Sequence, residues 1–508
     1  MKDVLLIYPR LGSMDSMVVD LPLSLIYAAA DSVKRGYLVE ILDLRCESSD
    51  WRGIVTQRMT DRFRLVGISV MTGSPLHHAR EISLFIREQW PNVPIVWGGP
   101  HVTVLPETLA ESFIDFLVRG YGSLPLAELL TALREGRREP EGIKGISYKN
   151  AQGQLVHVPR CEHFERIHYR DIPYHLVDVA SIRYQRFYKG ARVFPLFTAV
   201  GCPYKCSFCV SPATYSVIKG KKWLADPDDD VIGHIRMLIE RYQVTHLSII
   251  DDTSFVDLKR MRRLFTRIIE EKMCLTLEFR GARINEIDKM DDEFLQLMVK
   301  AGCRMIMVGV ETASDRILKQ MQKGISREQI LQVNRKLARY PQITPYFNFF
   351  YGSPGETYED VVTTKDTVLQ ILRENPRAYF GVGGDWKPIP GTQMLAIAQE
   401  QYGFQAPRTM DEWVEMDSSD SKKKIVHPWY TSRHNNIIKM MQVASYVVDD
   451  KIIRESEGNK AIWFRMLRTL SRIYKPLAWF RLRHNFHYFM FEYTIYRLFV
   501  RIIPAIKQ

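Results

Sequence analysis

Gly201-Cys202-Pro203-Tyr204-Lys205-Cys206-Ser207-Phe208-Cys209 places three cysteines within eight residues, directly after a short apolar run. Thiolates are soft ligands that suit iron–sulfur clusters and zinc. A structural zinc site normally takes a fourth Cys or His. None stands at a matching spacing, because Cys46, Cys161, Cys274 and Cys303 are scattered singly. Three thiolates on a four-iron cluster leave one iron open to chelation by a small molecule. The spacing therefore points to Cys202, Cys206 and Cys209 as ligands of a four-iron four-sulfur cluster, with a zinc knuckle as the weaker reading. Seven cysteines, an odd number, in a chain that opens on an apolar strand without a cleavable leader fit a reducing cytoplasm.

Working outward from the cysteines, strand and helix alternate. In 191–400, strands are expected at 193–199, 246–250, 275–279, 305–310, 346–351 and 379–382. Helices are expected at 228–241, 258–272, 292–300, 326–339 and 358–373. Six strand–helix units of about 30 residues each predict a parallel barrel or partial barrel, whose active site lies where the strands end. The region 1–145 alternates as well, with strands at 4–8, 38–42, 65–70, 95–97 and 116–118 and helices at 23–35, 74–89 and 124–135. That pattern predicts an α/β, doubly wound, Rossmann-like sheet that binds ligands beyond its strand ends. The loops there, 9–13, 71–74, 98–101 and 120–123, are rich in Gly and Ser; they are either close approaches to a ligand or ordinary turns. A connector, 146–190, carries a hairpin signal at Asn150-Ala151-Gln152-Gly153. The region 401–508 is expected to be mostly helical and basic.

Length, charge and composition narrow the class. The chain has 508 residues, 46% apolar and 25% charged, as in ordinary globular proteins of two or three domains. Its net charge is +12, but residues 451–508 hold twelve Lys and Arg against three Glu, a net of +9. The body is close to neutral. No apolar run is long enough to span a bilayer. From Ala461 onward, aromatic and aliphatic residues interleave with arginines, the pattern of basic amphipathic helices. These are expected to lie against an anionic membrane surface on the cytoplasmic side; the alternative is that they fold back over the barrel. A nucleic-acid partner is disfavoured, since the tail is thick with aliphatics and no recognition fold follows the barrel.

The C-x3-C-x2-C spacing, with an aromatic before the last Cys, resembles the radical S-adenosylmethionine (SAM) superfamily. Other strand ends agree with that resemblance: Ile249-Ile250-Asp251-Asp252-Thr253, Gly309-Val310-Glu311-Thr312, Phe349-Phe350-Tyr351-Gly352-Ser353 and Lys387-Pro388-Ile389-Pro390-Gly391-Thr392. The resemblance implies that the three thiolates hold the cluster and that its open iron binds SAM. One electron then cleaves the sulfonium to a 5′-deoxyadenosyl radical. It implies SAM contacts at Phe208, Asp251, Asp252, Glu311 and Gly352, with Arg280 paired to the SAM carboxylate. It also implies an external electron donor such as flavodoxin or ferredoxin.

A doubly wound domain ahead of the barrel resembles the cobalamin-binding branch of that superfamily. The matching segments are Leu21-Pro22-Leu23-Ser24-Leu25-Ile26-Tyr27, Gly98-Gly99-Pro100-His101 and Asp171-Ile172-Pro173-Tyr174. Cobalamin contacts are then implied at Arg10, Ser69, Thr72, Gly73, Gly98, Gly99 and Gly120. Two segments depart from the family pattern. The Asp-x-His-x-x-Gly signature is absent, so cobalt would have no histidine from the first loop, and Gly120-Tyr121-Gly122-Ser123 replaces Gly-Glu-Gly-Glu. Tyr27, His77 and His101 read as core or loop residues. The leading expectation is cobalamin-dependent methylation of an unactivated carbon or phosphorus in a small, apolar or lipid-like substrate. The alternatives are a radical cyclisation, rearrangement or carbon–carbon coupling, or, outside catalysis, an iron–sulfur electron carrier or zinc-stabilised scaffold.

Overall fold

The computed structural model describes residues 2–12, 15, 20–47, 50–60, 62–185, 191–417, 427–457, 462–488, 490 and 492–494. Two largely parallel sheets stand with their strand ends toward a shared junction. The first is built from β1 (Lys2–Tyr8), β2 (Val39–Asp43), β3 (Phe63–Ser69), β4 (Ile95–Gly98), β5 (Phe116–Val118), β6 (Ile146–Lys149) and β7 (Leu155–His157), in the order β2-β1-β3-β4-β5-β6-β7. Its first five strands are parallel, as the expected α/β pattern requires. Their central residues are apolar because helices cover both faces. The strand order reverses between β1 and β3, which is where an open α/β sheet leaves its ligand crevice.

The hairpin signal at 150–153 is real, but its strands are not linker: β6 pairs antiparallel with β5 and extends the first sheet. Residues 146–157, expected in the connector, therefore belong to the amino-terminal layer. A further helix, Trp51–Met59, crosses between β2 and β3.

After β8 (Val193–Leu196) the chain makes a small hairpin of β9 (Ala199–Gly201) and β10 (Trp223–Ala225), then continues with β11 (His246–Ile249), β12 (Thr276–Arg283), β13 (Cys303–Glu311), β14 (Thr344–Tyr351) and β15 (Tyr379–Asp385). The six-stranded order β15-β14-β13-β12-β11-β8 is parallel throughout, and its outer strands β15 and β8 do not pair, so it is a partial barrel. Helices begin on side-chain caps where the sequence supplies them: Asp257, Asp291, Ser326 and Thr357 each accept from a backbone N–H of the first turn.

Apolar packing joins the two layers, and Leu21, Leu23 and Ile26 belong to the barrel's own core. Ile68, Val70 and Trp97 of the first sheet share a second cluster with Ile317, Met321, Met394 and Trp413. The helix Met410–Asp417 lies on the first domain, with Arg80 paired to Asp411 at 2.9 Å. The region after 401 is helical where described, in Met410–Asp417, Ser432–Ala444, Lys451–Glu455 and Ile462–Arg483. Among the described residues no helix is long and apolar enough to cross a membrane.

Candidate active site at the junction of the two sheets

The cysteine loop leaves β9 through Gly201, whose φ of +82° and neighbouring Lys222 carbonyl, 2.4 Å from where a Cβ would stand, exclude a side chain. The loop is fixed on both sides: Ser207 N donates to Met321 O, Ser207 Oγ to Gln320 O, and Met394 N to Ser207 O. Cys206 is buried and Cys202 and Cys209 are half-buried. Burial pushes the Cys202 thiol up to about 12 and raises Cys209 as well. Thiols so placed need a cationic partner to ionise, and the irons of a cluster supply that charge. Among the described residues no three His, Cys, Asp or Glu side chains converge on a single ion. In a four-iron cluster each thiolate takes its own iron, so the donors fit the cluster better than they fit one zinc.

Around the loop stand the carboxylates and cations of the strand ends, and the structure separates the expected ones. Asp252 is open to the junction cavity beside Tyr215, and burial raises its carboxyl above the usual range. Asp251 is turned inward. Its Oδ1 accepts from Thr198 N (2.6 Å) and Ala199 N (3.1 Å), and its Oδ2 from Thr198 Oγ1 (2.7 Å). Both oxygens are taken, so Asp251 clamps the turn between β8 and β9 to the end of β11 and is not free to meet an ammonium group.

Glu311 ends β13 at φ +73°, a left-handed conformation that costs a non-glycine residue energy and concentrates at functional sites. Its carboxylate meets buried Lys323 at 2.7 Å. Lys323 Nζ also lies 5.4 Å from the Phe208 ring, which packs edge-on against Phe350. Phe208 and Glu311 therefore share one corner of the site.

Arg280 does not reach it. The sequence reading ended the third barrel strand at Phe279, but β12 runs on to Arg283. It can do so because Gly281 lets the Asp251 carbonyl come within 2.0 Å of where a Cβ would stand. Arg280 is bound to Glu278 (3.0 Å) and to Asp20 of the first domain (2.5 and 3.2 Å). The strand-end arginine is Arg283, whose Nη1 lies 3.1 Å from Cys206 Sγ and whose guanidinium stacks 3.8 Å over Tyr204. Gly352 (φ +89°) faces His427 Nε2 and Trp386 N, so its missing side chain is explained by packing.

On the first sheet, Ser69, Gly98, Gly99 and Gly120 line one cavity of about 540 Å³ together with Tyr121, Tyr215 and Asp252. It is continuous from apolar Leu6, Val96 and Leu126, inside the first domain, to Ala199, Val200 and Gly201 beside the cysteine loop. Gly98 has only Val118 near it, at 3.7 Å or more, whereas Gly99 (φ +116°) is forced by the Val70 carbonyl. Three expected contacts lie outside this lining. Arg10 donates to the Glu47 carbonyl, Thr72 is hydrogen-bonded to His101 at 2.9 Å, and Gly73 caps the helix Ser74–Gln89. Tyr121, in the segment that departs from the family pattern, is a residue that sequence reasoning missed: it lines the cavity, and its buried hydroxyl has no hydrogen-bond partner among the described residues. An unpaired hydroxyl, glycine edges and an apolar end fit a cofactor with a polar rim and an apolar body, and the volume lies in the range of cofactor sites.

Comparison with known proteins agrees with this geometry. Residues 196–368 match the model of the Radical SAM superfamily, and residues 13–130 match that of the B12 binding domain. The chain belongs to the cobalamin-binding branch of the radical SAM superfamily. It is an enzyme whose cofactors are a four-iron four-sulfur cluster, SAM and cobalamin. An uncharacterized methyltransferase of Pyrococcus horikoshii is 28% identical over 484 residues, 93% of this chain and 98% of that protein. Two solved structures share the fold. The radical SAM methyltransferase TsrM of Kitasatospora setae, solved with tryptophan substrate and a SAM analogue, gives a TM-score of 0.63 at 24% identity, covering 80% of this chain and 78% of TsrM. OxsB, a cobalamin-dependent SAM radical enzyme with aqua-cobalamin bound, gives 0.68 at 15% identity, covering 95% and 72%.

Proposed function

We propose that this radical SAM protein is a cobalamin-dependent methyltransferase acting on an unactivated carbon, or phosphorus, of a small apolar substrate. The observation that carries the reading is the continuous cavity from the core of the B12-binding domain to the cysteine loop. When bound, the cluster and SAM supply reductive cleavage and a radical, and cobalamin carries the methyl group.

The residues of the chain have the following roles in this reading. Cys202, Cys206 and Cys209 hold the cluster, and Arg283 lends positive charge beside Cys206. Asp252 accepts the ammonium group of SAM, a charge-assisted hydrogen bond, while Tyr215 keeps its carboxylate oriented toward the cavity. Glu311, held by Lys323, binds the polar groups of SAM beside Phe208. Ser69, Gly98 and Gly120 receive cobalamin at the strand ends, and Tyr121 Oη donates to a polar group at its rim. Asp251 and Arg280 act as struts that fix the strands carrying these groups. No side chain is required as a base. The two sheets wall the junction from either side, which limits bulk water around a reactive radical.

The electron comes from an external donor such as flavodoxin or ferredoxin, and the basic carboxyl-terminal region meets a membrane, which suits a lipid-like substrate. Mass spectrometry after anaerobic incubation with SAM, cobalamin, reductant and candidate extracts tests the reaction. A product heavier by one methyl group, with label transferred from methyl-labelled SAM, is expected. A product without the label would remove methyl transfer in favour of cyclisation or rearrangement.

A further inference from the structure

The helix Ile462–Arg483 presents an apolar stripe to the outside. Ile462, Met466, Leu470, Ile473, Leu477 and Phe480 are all exposed, Ile462 at 76% and Ile473 at 71%. Their spacing of three and four residues puts all six within one narrow sector of the helix. The opposite side is the packed one: Ser471, Ala478 and Leu482 are buried. The sequence alone expected these helices either to meet a membrane or to fold back over the barrel. The structure has the helix packed on the barrel, and among the described residues nothing covers its apolar face. Soluble proteins rarely expose a contiguous apolar face unless something covers it.

Charge indicates what the cover is. Arg465, Arg472 and Arg483 are exposed in a row along one border of the stripe, and none has an ion-pair partner among the described residues. No Asp or Glu occurs between 462 and 483. Arg481, by contrast, is turned inward to Glu492 and does not contribute to that surface. An apolar stripe edged by unpaired arginines matches the boundary of an anionic bilayer, where acyl chains take the aliphatics and headgroup phosphates take the guanidinium groups. A second copy of this chain would bring another acid-free basic surface against the first.

The stripe also points toward the site. Past its end, His487 is hydrogen-bonded to Tyr358 at 3.0 Å, and Lys365 Nζ donates to Leu482 O at 2.8 Å. Tyr358 opens the helix that follows β14, so this end of the stripe lies at the rim where the barrel strands finish.

We propose that the outer face of Ile462–Arg483 is a docking surface that seats its aliphatic row in an anionic lipid bilayer, with Phe480 nearest the barrel rim. This rests on the membrane contact proposed above and names its surface. Co-flotation of the full-length, cluster-loaded protein with phosphatidylcholine vesicles, with and without phosphatidylglycerol, tests it. The wild type should float with the anionic vesicles at low salt and be released as salt screens the arginines. Leu470→Glu/Ile473→Glu should lower the partition coefficient at least tenfold, and Arg465→Gln/Arg472→Gln/Arg483→Gln should lower it by on the order of fivefold per arginine. All substituted side chains are exposed, and iron content and elution volume verify that each variant is folded. A wild type that stays unbound overturns the proposal, as does a stripe variant that floats as well as wild type. A concentration-dependent dimer that the stripe variant abolishes, without vesicle binding, overturns it in favour of a second copy. Methyl transfer is not read in this assay, so failure here leaves the assigned reaction standing.

Discussion

Arg280 and Asp20 form a two-point ion pair, Nη1 to Oδ2 at 2.5 Å and Nη2 to Oδ1 at 3.2 Å, that ties the third barrel strand to the loop after the first strand of the amino-terminal sheet. The pair is partly buried, and Arg280 is also held by Glu278, whose carboxyl is kept at about 2, against the effect of burial, by His246, Arg280 and Ser248. Fork-shaped pairs of this kind fix geometry as well as adding energy. Arg280→Gln and Asp20→Asn should each cost roughly 1–3 kcal/mol, with a coupling of about 1 kcal/mol in the double-mutant cycle. SAM affinity, measured by equilibrium dialysis on the cluster-loaded protein, should stay within about twofold. A tenfold rise in the SAM dissociation constant of the arginine variant alone would show that Arg280 reaches the SAM carboxylate after all.

The second prediction concerns the cluster loop. Cys206→Ala should lose the cluster's iron and sulfide together with reductive SAM cleavage, and Cys202→Ala and Cys209→Ala should do the same. Arg283→Gln tests a subtler role. Removing a positive charge beside Cys206 favours the oxidised cluster, so its midpoint potential should fall, by about 60 mV for each ~1.4 kcal/mol of lost differential stabilisation. An anaerobic titration followed by electron paramagnetic resonance reads this directly. An unchanged or raised potential with full iron content would confine Arg283 to packing against Tyr204.

These residues also show what sequence can and cannot convey. The apolar strand runs and the loops after them were legible because burial on both faces leaves a composition that little else produces. The helix Trp51–Met59 was not, because only Val55 and Met59 are fully buried, Trp51 and Ile54 pack at the edge of the core, and nine residues are too few for that spacing to stand out. Asp251 and Asp252 are chemically identical neighbours; the course of the loop beyond β11 decides that one clamps Thr198 and the other opens onto the cavity. Arg280 was mistaken for the strand-end residue because a glycine at 281 reads as a stop. Here it permits a close crossing and the strand continues. Tyr121 was visible only as a departure from a pattern, and its significance depends on a cavity assembled from both domains. The hairpin at 150–153 was recognised, but its partner, β5, lies nearly thirty residues earlier and cannot be read from the turn.

The third prediction uses the cavity. Gly98 has no atom near its missing Cβ closer than Val118 at 3.7 Å, and its backbone does not require glycine, so Gly98→Leu should fold and fill the cavity wall. Hydroxocobalamin retained by the wild type through gel filtration should be lost from this variant, while iron content and SAM cleavage persist. Tyr121→Phe keeps the ring and removes one hydrogen bond, a change of about 0.5–1.5 kcal/mol, or roughly 2- to 12-fold in affinity. Full cobalamin retention by Gly98→Leu would place the cofactor elsewhere.

Glu356 supplies the last prediction. It is buried beneath the turn at Gly352, and burial pushes its carboxyl up to about 7 even though Tyr430 Oη (2.6 Å) and Gly352 N (2.8 Å) donate to it. In the unfolded chain an ordinary glutamate releases its proton near 4.5. Between pH 4.5 and 7 the folded chain therefore binds more protons than the unfolded chain, and stability falls as pH rises through that window, levelling off above it. Asp251, raised to about 6 by burial, acts in the same direction over a lower range, so the total profile of the wild type mixes both. Glu356→Gln isolates one group. Both donors point at Oε2, a position the amide oxygen can occupy, so the substitution keeps those bonds and removes the ionisation. The variant should match the wild type near pH 4.5 and exceed it by on the order of 3 kcal/mol at pH 8, read as a growing gap between their anaerobic thermal midpoints. A gap that does not change from pH 4.5 to 8 would mean that Glu356 ionises in the folded chain as readily as in the unfolded one, and that the turn at Gly352 is open to water.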